Sequence, residues 1–207
     1  QQAEIARQQA ENARREAEAQ EEAKRQKELQ AQEEAKRKAK EEELARKNKA
    51  LQEQISKVND EISIAKAKLG MGEIDSALTH FENASKMLPA EEKKFSADKL
   101  SEIATALFDS SVNQTSPEVK SELKAQAISY AERAISRDSE QAPAHYILGK
   151  TYSEERNYEK AINELTKAAQ LDGLNYLYFY ELGKVQFSLK KFSEARSSFE
   201  TACKLNP

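Results

Sequence analysis

Small and large apolar residues recur at a fixed offset along residues 142–207. Gly149 and Gly183 stand 34 residues apart, and their surroundings recur with them. Leu148 matches Leu182, Tyr158 matches Phe192, Ala161 matches Ala195, Leu165 matches Phe199, Ala168 matches Ala202, and Leu171 matches Leu205. Within each copy the apolar positions fall three and four residues apart, the period of a helix with one buried face. A repeat of this length predicts stacked helical hairpins. The small residues mark where the two helices of a hairpin approach, and the large ones fill the space between hairpins. Such a stack offers an extended surface, not an enclosed catalytic pocket.

An earlier copy runs Ile64-Ala65, Gly72-Glu73-Ile74, Ala77, Phe81, Ala84 and Pro89. Ala77, Phe81, Ala84 and Pro89 carry the same spacing as Ala195, Phe199, Ala202 and Pro207. Between them Leu100, Ile103, Ala104, Leu107 and Phe108 form an apolar helical stripe, and Ala127 and Ala134 fit a second helix. Ala77 to Ala127 is 50 residues, so this unit is lengthened. Ser116-Pro117-Glu118 reads as a helix start, with a cap, a first-turn proline and an early acid. The expected arrangement is a polar loop over 109–115 and an unusually long second helix from Pro117. Four units follow: 58–91, 92–141 with the insertion, 142–175 and 176–207.

Leu148-Gly149-x-x-Tyr152, then Tyr158-x-x-Ala161-x-x-x-Leu165-x-x-Ala168, resembles the tetratricopeptide repeat, as does its next copy ending at Pro207. The resemblance implies an all-α superhelix of helical hairpins over 58–207, whose first helices line a concave face that takes extended peptides or partner helices. The copies depart from the pattern at Gln186, which stands where Tyr152 does, at Gly173, which stands where Pro207 does, and at His145, which replaces a bulky aromatic. Family members that bind chaperone tails place an asparagine after the glycine and a basic residue one turn earlier. Here Lys150 and Lys184 follow the glycines, with Tyr146 and Tyr180 before them, which speaks against that ligand.

The residue after each small packing position is Lys66, Lys150 or Lys184, with Thr105 in the lengthened unit. One turn earlier stand Ile62, Tyr146 and Tyr180, and one turn later Leu69, Ser153 and Phe187. The candidate groove is therefore Lys66, Tyr146, Lys150, Ser153, Tyr180, Lys184 and Phe187. Lysines flanked by tyrosines favour an acidic peptide or helix with aromatic or aliphatic anchors. The competing reading makes the lysines ordinary solvated surface. In the run Tyr176, Tyr178, Phe179, Tyr180, the expectation is Phe179 in the core, Tyr180 in the groove and Tyr176 at an edge, the alternative being that the run packs its hairpin against a neighbour or a missing capping helix.

Residues 1–57 are a different material, built almost wholly of Ala, Glu, Gln, Lys and Arg without Gly, Pro, Phe or Tyr. These are strong helix formers. Glu21–Arg25, Glu33–Arg37, Glu34–Lys38, Glu42–Arg46 and Glu43–Lys47 are spaced as acid-to-base pairs, each contributing ~0.2–0.5 kcal/mol. A single helix of roughly 80 Å is expected. Ala3, Ala6, Ala10, Ala13 and Ala17 keep a three-four spacing that fails at Gln20 and Lys24. A later seam through Leu44, Leu51, Ile55 and Val58 would suit a homodimeric coiled coil. The alternatives are that Ile62, Ala65 and Leu69 belong to the first hairpin's core and that the charged helix stands alone.

Composition narrows the function classes. The 207 residues carry a formal net charge of −3 with no basic tract, so nucleic acid is not an expected partner. No apolar run is long enough for a bilayer, and no signal peptide is visible, so this stretch itself should make no membrane contact. Cys203 is the single cysteine and should be buried beside Ala202. His80 and His145 lie in different repeats without a Cys or His cluster, so no metal site is expected. There is no phosphate loop and no nucleophile elbow. No cofactor and no enzyme activity are expected. The start at Gln1 and the close at Pro207 read as a piece of a longer chain or a processed product. The expected function is a protein-interaction adaptor whose groove is held out on a helical stalk. The alternative is a self-assembling structural component of a bacterial envelope or motility complex without a peptide ligand. The stalk's composition is similar to that of envelope proteins that cross the periplasm after one membrane helix, which favours a periplasmic over a cytoplasmic location.

Overall fold

A computed structural model describes residues 2–207, apart from the side chains at positions 2, 3, 5, 6, 9, 10 and 13. The expected seam at Ala3, Ala6, Ala10 and Ala13 lies outside the described side chains. The described chain is all α-helix: α1 (Gln2–Gly70), α2 (Ile74–Lys86), α3 (Lys93–Val112), α4 (Pro117–Arg137), α5 (Ala142–Glu154), α6 (Tyr158–Leu171), α7 (Tyr176–Ser188) and α8 (Phe192–Leu205). It divides into two units, Gln1–Glu53 and Gln54–Pro207.

In the first unit every described side chain from Arg14 to Ala50 is exposed, Leu29 and Leu44 included. The helix is held by its own backbone and by ion pairs one turn apart. Glu34–Lys38 and Glu43–Lys47 close at 2.8 Å each, as the spacing predicts. Arg37 instead reaches forward to Glu41 at 3.6 Å, and Glu11–Arg15 and Arg14–Glu18 add two more pairs. Each is solvent-exposed and contributes a few tenths of a kcal/mol at most, about 0.3–0.5.

The second unit is four helical hairpins: the end of α1 with α2, α3 with α4, α5 with α6, and α7 with α8. Val58, Ile62 and Ala65 are buried in its core against Phe81, Ala84 and Leu88. Val58 is therefore unavailable to a seam between copies. Within the third hairpin Gly149 sits on Leu165, and a Cβ on Gly149 would lie 2.6 Å from Leu165 Cγ. Gly183 holds the same place against Phe199 in the fourth.

The turn between the helices of a hairpin also repeats. Gly72, Arg156 and Lys190 occupy one repeat position, and all three have positive φ, at 78°, 61° and 59°. In each case the next amide closes the helix end: Glu73 donates to the Lys68 carbonyl, Asn157 to Tyr152 and Lys191 to Gln186. This is the left-handed C-terminal cap that glycine adopts most readily.

A cross-hairpin brace repeats with its partners exchanged. His80 Nδ1 on α2 lies 2.7 Å from Glu61 on α1, and His145 Nδ1 on α5 lies 2.5 Å from Glu164 on α6. Superposing Ala65 on Gly149 and Ala77 on Ala161 puts Glu61 on His145 and His80 on Glu164. His145 is buried, and its Nε2 also meets the Ser139 carbonyl at 3.0 Å. This explains why a histidine can stand in a bulky aromatic position.

The lengthened hairpin differs from expectation. α3 continues to Val112, so residues 109–112 are helical and only 113–116 form the turn. Phe108 and Ser111 are buried in this extension, and the Ser111 hydroxyl is satisfied by the Phe108 carbonyl at 2.6 Å. Local polarity suggested a loop, but burial of every third to fourth residue extends the helix. α4 starts as predicted, with Ser116 Oγ accepting from the Val119 amide at 3.4 Å.

The two equivalent glycines should respond differently to alanine. Either substitution gains about 0.8–1.0 kcal/mol of helix propensity. Leu165 is fully buried and meets the added methyl at its branch carbon, so Gly149→Ala should lose about 1–3 kcal/mol from overpacking. Phe199 is only partly buried and can swing away, so Gly183→Ala should be neutral or slightly stabilising. Urea denaturation of both variants checks this: equal losses would contradict it.

Candidate functional site

The first helices α3, α5 and α7 lie side by side, with the end of α1 beside α3. The family resemblance assigns this inner face to ligands, so the groove residues can be located on it one by one. Lys66 is exposed, but its ammonium is 2.5 Å from Glu102 on α3. Glu102 is also bound by Lys99 at 2.9 Å. Burial would raise the Glu102 carboxyl, yet these two lysines outweigh burial and hold it below the usual carboxylate range. Lys150 is half-buried and reaches Glu181 on α7 at 3.2 Å, while Lys184 reaches the same carboxylate at 2.9 Å. Glu181 itself is buried. The three lysines that suggested an acidic ligand thus pair with carboxylates of the array itself.

Tyr146 is half-buried between α5 and α7, with its ring 5.1 Å from that of Tyr178. Burial, with Glu181 and Asp109 nearby, pushes its phenol well above the ordinary tyrosine range. Ser153 is half-buried on the same helix. Tyr180 and Phe187 are exposed at 46% and 60%, Tyr180 against Phe199 and under the Lys184 ammonium, Phe187 against Phe192. Leu177, one turn before Tyr180, is also exposed. Of the seam residues, Leu44 is exposed and Leu51 and Ile55 are half-buried.

Two aromatic and thiol placements differ from the sequence reading. Tyr178, not Phe179, is the core residue of its run, packed on Ala142, Ala168 and Ala169. The buried face of α7 passes through Tyr178, Glu181, Leu182 and Val185, which leaves Phe179 at its margin. Cys203 is exposed rather than buried. Its counterpart Ala169 is covered by Tyr178 of the following hairpin, and no described helix covers Cys203 in that way.

Sequence reasoning missed the α3 part of this face. Asp98, Ser101, Thr105 and Asp109 follow one another at helical steps and line a cleft of about 500 Å³ with Glu140 and Pro143. Thr105 already marked the register. Stepping one turn either way along α3 would have found Ser101 and Asp109. No group of three or more His, Cys, Asp or Glu among the described residues could hold a metal ion, and no described helix is long and apolar enough to cross a membrane.

A family model for subunit 3 of the anaphase-promoting complex, or cyclosome, matches residues 122–202. The chain superposes on a crystal structure of MamA with a TM-score of 0.54 at 20% identity, covering 72% of this chain and 77% of that one. It superposes on Pseudomonas aeruginosa PilF with a TM-score of 0.56 at 24% identity, covering 74% of this chain and 63% of that one. No curated protein matches the chain. These likenesses agree with the hairpin geometry: the fold is a tetratricopeptide-like repeat array with a long N-terminal helix.

Exposure of Cys203 has a direct readout. Ellman's reagent should titrate about one thiol per native chain at the rate of an unhindered cysteine. Reaction only after denaturant is added would show a cover on α8 that the described helices do not provide.

Proposed function

We propose that this tetratricopeptide-like array is an adaptor that binds an extended segment or helix of a partner protein along its inner face. On this reading the charged N-terminal helix attaches the array to a larger assembly. The observation that carries the proposal is the exposure of Leu177, Tyr180 and Phe187 along α7. Single exposed apolar residues are ordinary, whereas three aligned along one helix of an inner face make an anchoring strip. The stalk-like composition of residues 1–57 is the support for placement in a bacterial envelope.

Peptides selected from a phage-displayed random dodecapeptide library on the full chain test this reading. Tyr180→Ala with Phe187→Ala should weaken the selected peptides at least about tenfold while leaving helicity and melting unchanged. Retained affinity in the double variant would overturn the groove reading.

A second reading, self-assembly without a peptide ligand, is favoured by an apolar face of the fourth hairpin. There Phe187, Phe192, Ala195, Phe199 and Cys203 line an almost wholly apolar hollow of about 430 Å³. The third hairpin buries the equivalent Leu165 and Ala169 against Leu182, Val185 and Tyr178 of its neighbour. If copies stack through this face, light scattering should show concentration-dependent oligomers that Phe192→Glu abolishes. A monomer at all concentrations would remove the reading.

A further inference from the structure

The cleft between α3 and the entry to α5 carries an imbalance that nothing in the array relieves. Four carboxylates line it, those of Asp98, Glu102, Asp109 and Glu140, and Lys66 is the one ammonium among its lining residues. Glu102 already takes Lys66 and Lys99. Asp98 accepts one hydrogen bond, from Gln141 Nε2 at 2.8 Å. The carboxylates of Asp109 and Glu140 have no partner among the described residues.

A second feature of the wall points the same way. Ser101 is 3% exposed, and its hydroxyl is buried without a hydrogen-bond partner. Its neighbours on the inner helices behave otherwise. Thr105 Oγ1 donates to the Ser101 carbonyl and Thr151 Oγ1 to the Ile147 carbonyl, both at 2.9 Å. Buried hydroxyls are nearly always paired, so an orphan beside an acidic cleft marks unmet bonding capacity. Most of the unmet capacity here is for accepting hydrogen bonds: carboxylate oxygens and hydroxyl lone pairs. The group that supplies several donors and a positive charge together is a guanidinium or an ammonium.

We propose that this cleft receives a lysine or arginine side chain projecting from a partner polypeptide on the inner face. The inference rests on the groove reading above and reverses the charge first expected of the ligand. The array's lysines are engaged by its own glutamates, while Asp109 and Glu140 are left over. Partial burial, with no cation beside it, holds the Asp109 carboxyl above its usual range. A docked cation would lower it again. The side chain enters between α3 and α5, and the chain that carries it runs on toward the apolar strip of α7.

The selected dodecapeptides provide the test on the full chain. The pool should be enriched in Lys and Arg, and replacing that cation by alanine in a synthetic peptide should weaken binding about tenfold. Asp109→Asn with Glu140→Gln should weaken the cationic peptide about tenfold and leave the alanine peptide unchanged, with melting unaltered. Peptides rich in Asp and Glu, or equal affinity for the neutralised variant, would overturn the inference. The groove reading would survive that result if Tyr180→Ala with Phe187→Ala still abolished binding. Selection of no peptide at all would overturn both.

Discussion

The close approach of the two helices in each hairpin is the constraint on which the rest of the array depends. Gly149 lets α5 settle onto the Leu165 side chain, and the separation leaves no room for a methyl group. Ala65 and Ala104 hold the corresponding position in the first two hairpins, and both are fully buried. With the hairpin this thin, its large residues project outward to the next one. Tyr178 can then reach back over Ala142, Ala168 and Ala169, and Tyr146 forward onto Tyr178. Stability in such an array is a sum of hairpins and of interfaces between neighbours. A clash inside one hairpin therefore also disturbs the two interfaces that depend on its thickness.

Along the inner edge, charge links neighbours in the same one-dimensional way. Lys66 joins the first hairpin to Glu102 of the second, and Lys150 joins the third to Glu181 of the fourth. Outside the inner face Lys124 of α4 pairs with Glu154 of α5, joining the second hairpin to the third. A solvent-reached pair such as Lys66–Glu102 contributes about 0–1 kcal/mol, too little to determine the fold. Such pairs do determine what the surface offers a ligand. A lysine already facing a carboxylate presents little net charge, so counting lysines along a groove overstates its appetite for acids. The unpaired groups set the field, and on α3 these are acids.

The repeat itself was legible because it rests on residue size at fixed spacing, which one chain displays openly. Gly149, Gly183 and the alanines of the second helices located every hairpin, and the charged N-terminal segment was helical over all its described length. The errors share a cause. Polarity suggested a loop at 109–115, yet Phe108 and Ser111 are buried by contacts from outside their own helix. Phe179 and Tyr178 are adjacent, and only the direction of the preceding hairpin decides which is covered. The His–Glu brace needed two copies superposed before its exchanged partners aligned. Periodicity reveals the faces of one helix, whereas pairing across helices becomes visible only through the packing.

Lengthening of the second hairpin gives the inner face a direction. In the third hairpin α5 ends at Glu154, five residues beyond Gly149, whereas α3 runs eight beyond Ala104, to Val112. The longer α3 is sustained by Phe108 and Ser111 on its buried side, and the same turn sets Asp109 on the opposite, solvent side. Asp109 thereby lies near enough to Tyr146 to help raise its phenol, together with Glu181 from α7. The face then grades from uncompensated acid on α3, through the tyrosine of α5, to exposed apolar side chains on α7. A surface uniform along its length would accept a segment in either polarity. A graded one favours a single orientation, since reversing the segment would set its cation on Leu177 and Phe187 and its apolar anchors among carboxylates.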